Sequence, residues 1–185
     1  MAAGSSSRLG QPKQLLPFKG STLIAHSIAV AKAFSTSCFL VLGSNFELIK
    51  KNIDSQQLNI IKHKNWEHGL GSSISFGLKN LLIEQSDIEN VILMLCDQPF
   101  VSAELLNKLQ LAQLNEGKSI VACSYYNSYG VPAIFNKKHF EELLALSGEV
   151  GAKNIISNNI DNVQFVEFPK GDIDIDTTED LKHLA

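Results

Sequence analysis

The chain has 185 residues, 44% of them apolar and 19% charged, with a formal net charge of −3. That length suits one domain with a sizeable core, and the composition excludes a disordered or collagen-like chain. The mild acidity gives no electrostatic reason to bind nucleic acid or an anionic membrane surface. No apolar run approaches the roughly 20 residues that span a bilayer, and no basic-then-apolar signal peptide opens the chain. Cys38, Cys96 and Cys123 stand singly within apolar runs, which predicts buried, reduced thiols in a cytoplasmic protein.

Ser21-Thr22 precede an apolar pattern at helical spacing over Leu23 to Phe34. Cys38 to Leu42 then reads as a buried strand, Phe46 to Ile53 as a short helix and Asn59 to Lys62 as a short strand. Ser72 to Leu82 places Ile74, Leu78, Leu81 and Leu82 on one helical face. Val91 to Leu95 is a continuous apolar run, as expected of a parallel strand covered on both faces. Ser102 caps a helix reaching about Leu114. Ile120 to Tyr125 and Ala133 to Phe135 read as strands, His139 to Leu146 and Ala152 to Ile156 as helices, and Val163 to Phe168 as a strand. Thr177 to Asp180 resembles a capping box that opens a last helix. Strands alternating with helices predict a three-layer, Rossmann-like α/β fold with a mostly parallel sheet in a single domain over 1–185. In such sheets ligands bind at the carboxyl ends of the strands.

Four segments carry chemistry. Ala2-Ala3-Gly4-Ser5-Ser6-Ser7-Arg8-Leu9-Gly10-Gln11-Pro12-Lys13-Gln14 has small residues that let backbone N–H groups turn toward an anion, with Arg8 and Lys13 as cations. No Gly-Lys-Ser/Thr follows Gly10, so it is not a Walker A loop. Cys96-Asp97-Gln98-Pro99 puts a carboxylate at the carboxyl end of the clearest strand, suited to Mg²⁺ or simply to a turn. Asp172, Asp174 and Asp176 alternate along an extended segment, where like charges repel unless a cation offsets them. Gly69, Gly71, Ser72 and Ser73 lead into a helix whose N–H groups face a phosphate, a sugar or a base, or serve only as a cap. Tyr129 to Pro132 and Ser147 to Lys153 read as loops that wall a pocket. Trp66 reads as a packing residue, and the histidines take no role.

In this order the segments resemble the MobA-like NTP transferases: Ala2 to Gln14, Gly69 to Ser73, Cys96 to Pro99, Gly130 to Phe135, Gly148 to Ala152 and Asp174 to Leu181. The resemblance spans nearly the whole chain. It implies a glycosyltransferase-A type nucleotidyltransferase that moves a nucleotide onto a phosphorylated acceptor. Ala2-Ala3-Gly4 and Asp97-Gln98-Pro99 look like the cytidylyltransferase branch, since the guanylyltransferase branch tends to have a second glycine where Ala3 stands. The implied reaction is CTP plus molybdopterin-Mo giving the cytosine dinucleotide and pyrophosphate. Arg8, Lys13 and Asp97 are then catalytic. Ala3, Gly4, Ser7, Gly10, Gly69, Ser72, Ser73 and Gln98 hold the nucleotide, and Asp97, Asp174 and Asp176 hold Mg²⁺. A cofactor-receiving enzyme or chaperone is the implied partner. Glu149 and Thr178 depart from the family's usual aspartate and proline. The competing readings are a cytidylyltransferase for a sugar-phosphate acceptor such as methylerythritol phosphate, and a nucleotide-binding cofactor chaperone without turnover.

Members of this family also have an apolar strand ahead of the phosphate loop, in the middle of the sheet. Met1 lies directly before that loop, and every other strand already has its own place in the order. The expectation is therefore a natural chain longer than this one, with low stability and weak activity for the 185 residues alone.

Overall fold

The computed structural model describes residues 1–184. A small hairpin pairs β1 (Pro17–Phe18) with β2 (Ser21–Thr22), and α1 (Leu23–Phe34) follows, its first turn capped by the Thr22 hydroxyl accepting from the Ala25 N–H. Then come β3 (Phe39–Leu42), α2 (Phe46–Lys51), β4 (Asn59–Lys62), α3 (Gly69–Glu84), β5 (Asn90–Leu93) and α4 (Ala103–Glu116). The second half holds β6 (Ile120–Tyr125), β7 (Ser128–Asn136), α5 (Phe140–Leu144), α6 (Lys153–Asn158) and β8 (Val163–Glu167). The last helix is a 3₁₀ helix, Thr178–Leu184.

β3 pairs with β4 in parallel. β5, β7, β6 and β8 form a second ladder in that order, parallel between β6 and β8 and antiparallel on both sides of β7. Residues 1–3 join the two. Ala2 bridges Leu42 in parallel, while the Met1 nitrogen donates to Met94 O at 2.8 Å and Cys96 N–H donates to Met1 O at 3.1 Å. The combined order is β4, β3, residues 1–3, β5, β7, β6, β8, and within this sheet β7 alone runs antiparallel to its neighbours.

β7 is longer than its sequence suggests, because Gly130 and Pro132 break the strand pattern. The register jumps from Ala122 opposite Ala133 to Cys123 opposite Gly130. Val131 and Pro132 fall in this bulge, where a residue without an N–H is tolerated. The helix predicted from Ser72 starts earlier, at Gly69, and takes both glycines into its first turn. Gly71 N–H donates to Gly148 O at 2.9 Å, and a Cβ on Gly71 would stand 2.8 Å from Ser147 O. The glycines thus give up helix propensity for close approach of the 147–150 backbone.

Leu23, Leu42, Ile49 and Ile175 fill the core below β3, while Leu106, Leu109, Val121 and Cys123 fill it beside α4. All three cysteines are buried and free. Gln14 is the polar residue that fixes the N-terminal segment. Its side chain is 1% exposed and its Nε2 donates to Ala2 O and Gly4 O, both at 3.1 Å. Gln14→Leu keeps the volume and leaves both carbonyls without this donor. It is expected to cost about 2 kcal/mol, at roughly 1–3 kcal/mol per buried group left unpaired. Urea denaturation checks it, and a variant as stable as the parent would refute the anchoring role.

Candidate active site

The first loop closes on itself. Ser6 adopts the left-handed region at φ 58°, its hydroxyl accepts from Lys13 N–H at 3.1 Å, and Gly10 ends the short 3₁₀ turn Ser7–Leu9 at φ 66°. No intramolecular hydrogen bond among the described residues takes up the N–H groups of Gly4, Ser5 or Ser6. Gly4, Ser5 and Ser6 line a cavity of about 430 Å³. Ala3, Gly4, Ser7, Arg8, Lys13, Gly69, Ser73, Asp97 and Asp176 all line it, as do Trp66, Glu67 and Glu149.

Two carboxylates from distant segments meet one cation there. Lys13 Nζ lies 2.6 Å from Asp97 Oδ2 and 2.7 Å from Asp176 Oδ1, with side-chain exposures of 14%, 18% and 35%. Arg8, on the open side, reaches Asp176 Oδ2 at 2.9 Å. Burial pulls the Lys13 ammonium down, but Asp97 and Asp176 outweigh it and hold its pKa above the usual lysine value. Burial likewise pushes Asp176 up, and the bonds from Lys13 and Arg8 win, leaving it below the usual carboxylate range.

The C-terminal acidic segment is pinned in place. Ile175 is fully buried, its N–H donates to Asp97 O at 2.9 Å, and alternation turns Asp174 and Asp176 the other way. Asp180 then accepts from the N–H groups of Asp176 and Thr177 at 3.0 and 2.7 Å, the back half of the predicted capping box. Asp174 is exposed as a residue. Its carboxyl nevertheless gives up hydration among its neighbours, and with the charges of Asp97 and Asp176 this pushes it up to about 6.

The site differs from the sequence reading at several positions. Gly10, Ser72, Gln98 and Asp174 do not line the cavity. Ser72 turns to His63 Nε2 at 2.9 Å, because the helix begins at Gly69 and rotates it away. Gln98 is 3% exposed and donates to Gly171 O at 3.2 Å, holding the acidic segment from below. Gly10 lies at the loop's outer turn. Of the segments expected to wall the pocket, Ser147 to Lys153 contributes Glu149, whereas Tyr129 to Pro132 belongs to β7. Gln14, Trp66 and Glu67 were not marked by sequence as site residues. Gln14 follows Lys13 directly and Trp66 stands three residues before Gly69, and those offsets are the only signal the sequence offers.

A cation locus follows from this geometry. Asp97 Oδ1 is buried and without a hydrogen-bond partner, while Asp97 Oδ2 and Asp176 already share one positive charge. Hard oxygen donors of this kind fit a divalent ion that fills its remaining positions from phosphate oxygens. No group of three or more His, Cys, Asp or Glu side chains converges at metal distance among the described residues. No helix among them is long and apolar enough to cross a membrane.

Residues 1–163 match the model of the MobA-like NTP transferase domain. Nicotine blue oxidoreductase of Paenarthrobacter nicotinovorans is 26% identical over 100% of this chain and 93% of its own. Purine catabolism protein PucB of Bacillus subtilis is 28% identical over 85% of this chain and 78% of its own. A probable molybdenum cofactor guanylyltransferase of Bacillus mycoides is 27% identical over 80% and 72%. Among solved structures, Rv0371c of Mycobacterium tuberculosis superimposes with a TM-score of 0.85 at 26% identity, covering 99% of this chain and 93% of its own. A manganese complex of Rv0371c superimposes with a TM-score of 0.81 at 24% identity, covering 98% and 93%.

The Lys13 bridge generates one prediction. Lys13→Met leaves Asp97 and Asp176 facing each other, which should cost about 1–2 kcal/mol at this partial exposure. Millimolar Mg²⁺ or Mn²⁺ should then raise the melting temperature of the variant more than that of the parent. Equal metal effects on both proteins would show that the carboxylate pair is not a cation locus.

Proposed function

The chain belongs to the MobA-like NTP transferase family and is a nucleotidyltransferase, and from that premise we propose that it moves CMP from CTP to a molybdopterin-type acceptor with a divalent cation, Mg²⁺ in the cell. The observation that carries the reading is the meeting of Lys13, Asp97 and Asp176 beneath the free amides of the first loop. It supplies both signs of charge that a nucleoside triphosphate and its cation require. A molybdenum cofactor transferase among the relatives supports the acceptor class, and a manganese complex among the structural neighbours supports the cation. Ala3, which lines the cavity where the guanylyltransferase branch tends to have a second glycine, supports the base.

In this reaction an acceptor phosphate oxygen attacks the α-phosphorus of CTP in line. The new oxygen–phosphorus bond forms as the bond to the β-phosphate oxygen breaks, and pyrophosphate leaves. The attacking phosphate is already ionised, so no strong general base is needed. The chain's own work is positioning and charge compensation. The amides of Gly4, Ser5 and Ser6 cradle phosphate oxygens. Lys13 and Arg8 hold the leaving pyrophosphate, Arg8 as a planar fork at the cavity mouth. Asp97 and Asp176 would hold the cation, with Asp174 as added negative charge beside them. Bound there, Mg²⁺ supplies Lewis-acid stabilisation of the charge on the phosphate oxygens. Gly69 and Ser73, in the first turn of α3, present the helix start to the nucleotide.

Pyrophosphate release with each of the four nucleoside triphosphates, with and without molybdenum cofactor, tests the proposal. CTP with the cofactor should exceed GTP by about tenfold or more. GTP turning over as well as CTP would overturn the base assignment, and release with no dependence on the cofactor would overturn the acceptor. Asp97→Asn should fold normally and lose about 10²- to 10³-fold in kcat, with Arg8→Lys losing about tenfold. A folded Asp97→Asn variant with near-parental kcat would reduce Asp97 to a turn residue.

A further inference from the structure

A second cluster of reactive side chains lies at the opposite edge of the sheet from Asp97. β6 runs parallel to β5, because each is antiparallel to β7, and Ser119 stands just before the amino end of β6. The Ser119 hydroxyl lies 2.8 Å from His139 Nε2, and His139 Nδ1 lies 2.6 Å from Glu142 Oε1. The second Glu142 oxygen accepts from Asn159 Nδ2 at 3.1 Å. The start of β6, the turn after β7, α5 and the end of α6 thus meet in one hydrogen-bonded chain.

The proton positions along this chain follow from the donors. Glu142, as a carboxylate, only accepts, so His139 Nδ1 carries the ring proton. In the neutral ring Nε2 then holds a lone pair, and the Ser119 hydroxyl is the donor to it. A hydroxyl that donates to an imidazole, itself fixed from behind by a carboxylate, is set up as a nucleophile. His139 is buried, so its ring is held in place. Ser119 is held as well: Asn136 N–H donates to its carbonyl at 2.9 Å, and the neighbouring Lys118 Nζ donates to Asp161 O at 2.7 Å. No intramolecular hydrogen bond among the described residues takes up the N–H groups of Lys118 or Ser119. Two donors therefore stand beside the hydroxyl for the negative charge of an attacked oxygen. A chain that only tied segments together would gain nothing from ending at a half-buried serine with free amides next to it.

We propose that Ser119, His139 and Glu142 form a second reactive site, in which Ser119 takes a small acyl group from an activated ester and water removes it. Ser119 Oγ attacks the carbonyl carbon as its proton passes to His139 Nε2, and the carbonyl oxygen takes the negative charge. The bond to the leaving oxygen then breaks, and that oxygen takes the proton from Nε2. Water next attacks the acyl-serine, its proton returns through Nε2 to Oγ, and the free acid leaves. Glu142 touches no reacting atom; it is a positioning residue that fixes the ring's tautomer and offsets the charge the ring gains. Lys138 and Glu142 around the site are exposed, so it suits short acyl groups that need no apolar channel.

The full chain with p-nitrophenyl acetate tests the proposal. A burst of one nitrophenolate per chain is expected, and acid quenching should leave the mass of one acetyl group on the peptide that holds Ser119. Ser119→Ala should melt close to the parental temperature and give no burst. Glu142→Gln should acylate about 10²-fold more slowly, the scale of a lost general base. Glu142→Asp, which keeps the acceptor, should regain part of that rate. A burst that survives in the folded Ser119→Ala variant, or acetyl groups found on the parent only at lysines, overturns the site. A Glu142→Gln variant that acylates as fast as the parent overturns the relay. The peptide mapping on the parent decides the matter even where a variant fails to fold.

Discussion

Asp97 and Asp176 are brought together from opposite ends of the sequence, and the charge of Lys13 is what lets them stay together. Two carboxylates this close repel strongly in a half-buried site, and no other cation bonds to both among the described residues. Lys13 is held in turn by the first loop, through the bond from its own N–H to the Ser6 hydroxyl. The loop, the end of β5 and the C-terminal segment therefore meet at one ammonium. In the proposed reaction Asp97 and Asp176 would hold the divalent cation and Lys13 would serve the phosphates, so these ion pairs keep ready the groups of both signs that the nucleotide needs. The free protein keeps the site charge-balanced without presenting three ligands in advance.

Much of this was legible because each element follows its own local rule. The Leu23–Phe34 helix, the strands Phe39–Leu42, Asn59–Lys62 and Ile120–Tyr125, and the Ser102 cap all stand where periodicity and capping put them. The first loop stood out in the sequence by its small residues beside Arg8 and Lys13, and Asp97 by its place after a buried strand, although that place alone suits a turn as well as a ligand. What local rules could not reach was long-range. Gly69 and Gly71 look like a loop until the 147–150 backbone is seen against them. The same holds for β7, whose Val131 and Pro132 sit in a bulge that shows only once the strand is paired with β6.

Gln14 and Gln98 show the limit most plainly. In sequence they are polar residues next to a lysine and an aspartate, and the reading there gives Gln98 a place at the nucleotide and Gln14 no role. In the structure each is buried and directed at backbone, Gln14 at Ala2 and Gly4, Gln98 at Gly171. A buried amide that bonds to carbonyls fixes where the charged neighbour stands. The substitution most informative about them is therefore one that keeps volume and removes donors, not one that removes charge.

The two halves of the sheet and the geometry of the site are linked by residues 1–3. These residues fill the carboxyl end of the gap between β3 and β5, and the phosphate loop continues directly from them. Met1 O is held by Cys96 N–H, one residue before Asp97, while Ser44 N–H holds Ala3 O and Gln14 holds Ala2 O. Any looseness at Met1 passes through Cys96 to Asp97 on one side and through Ala3 to the loop amides on the other.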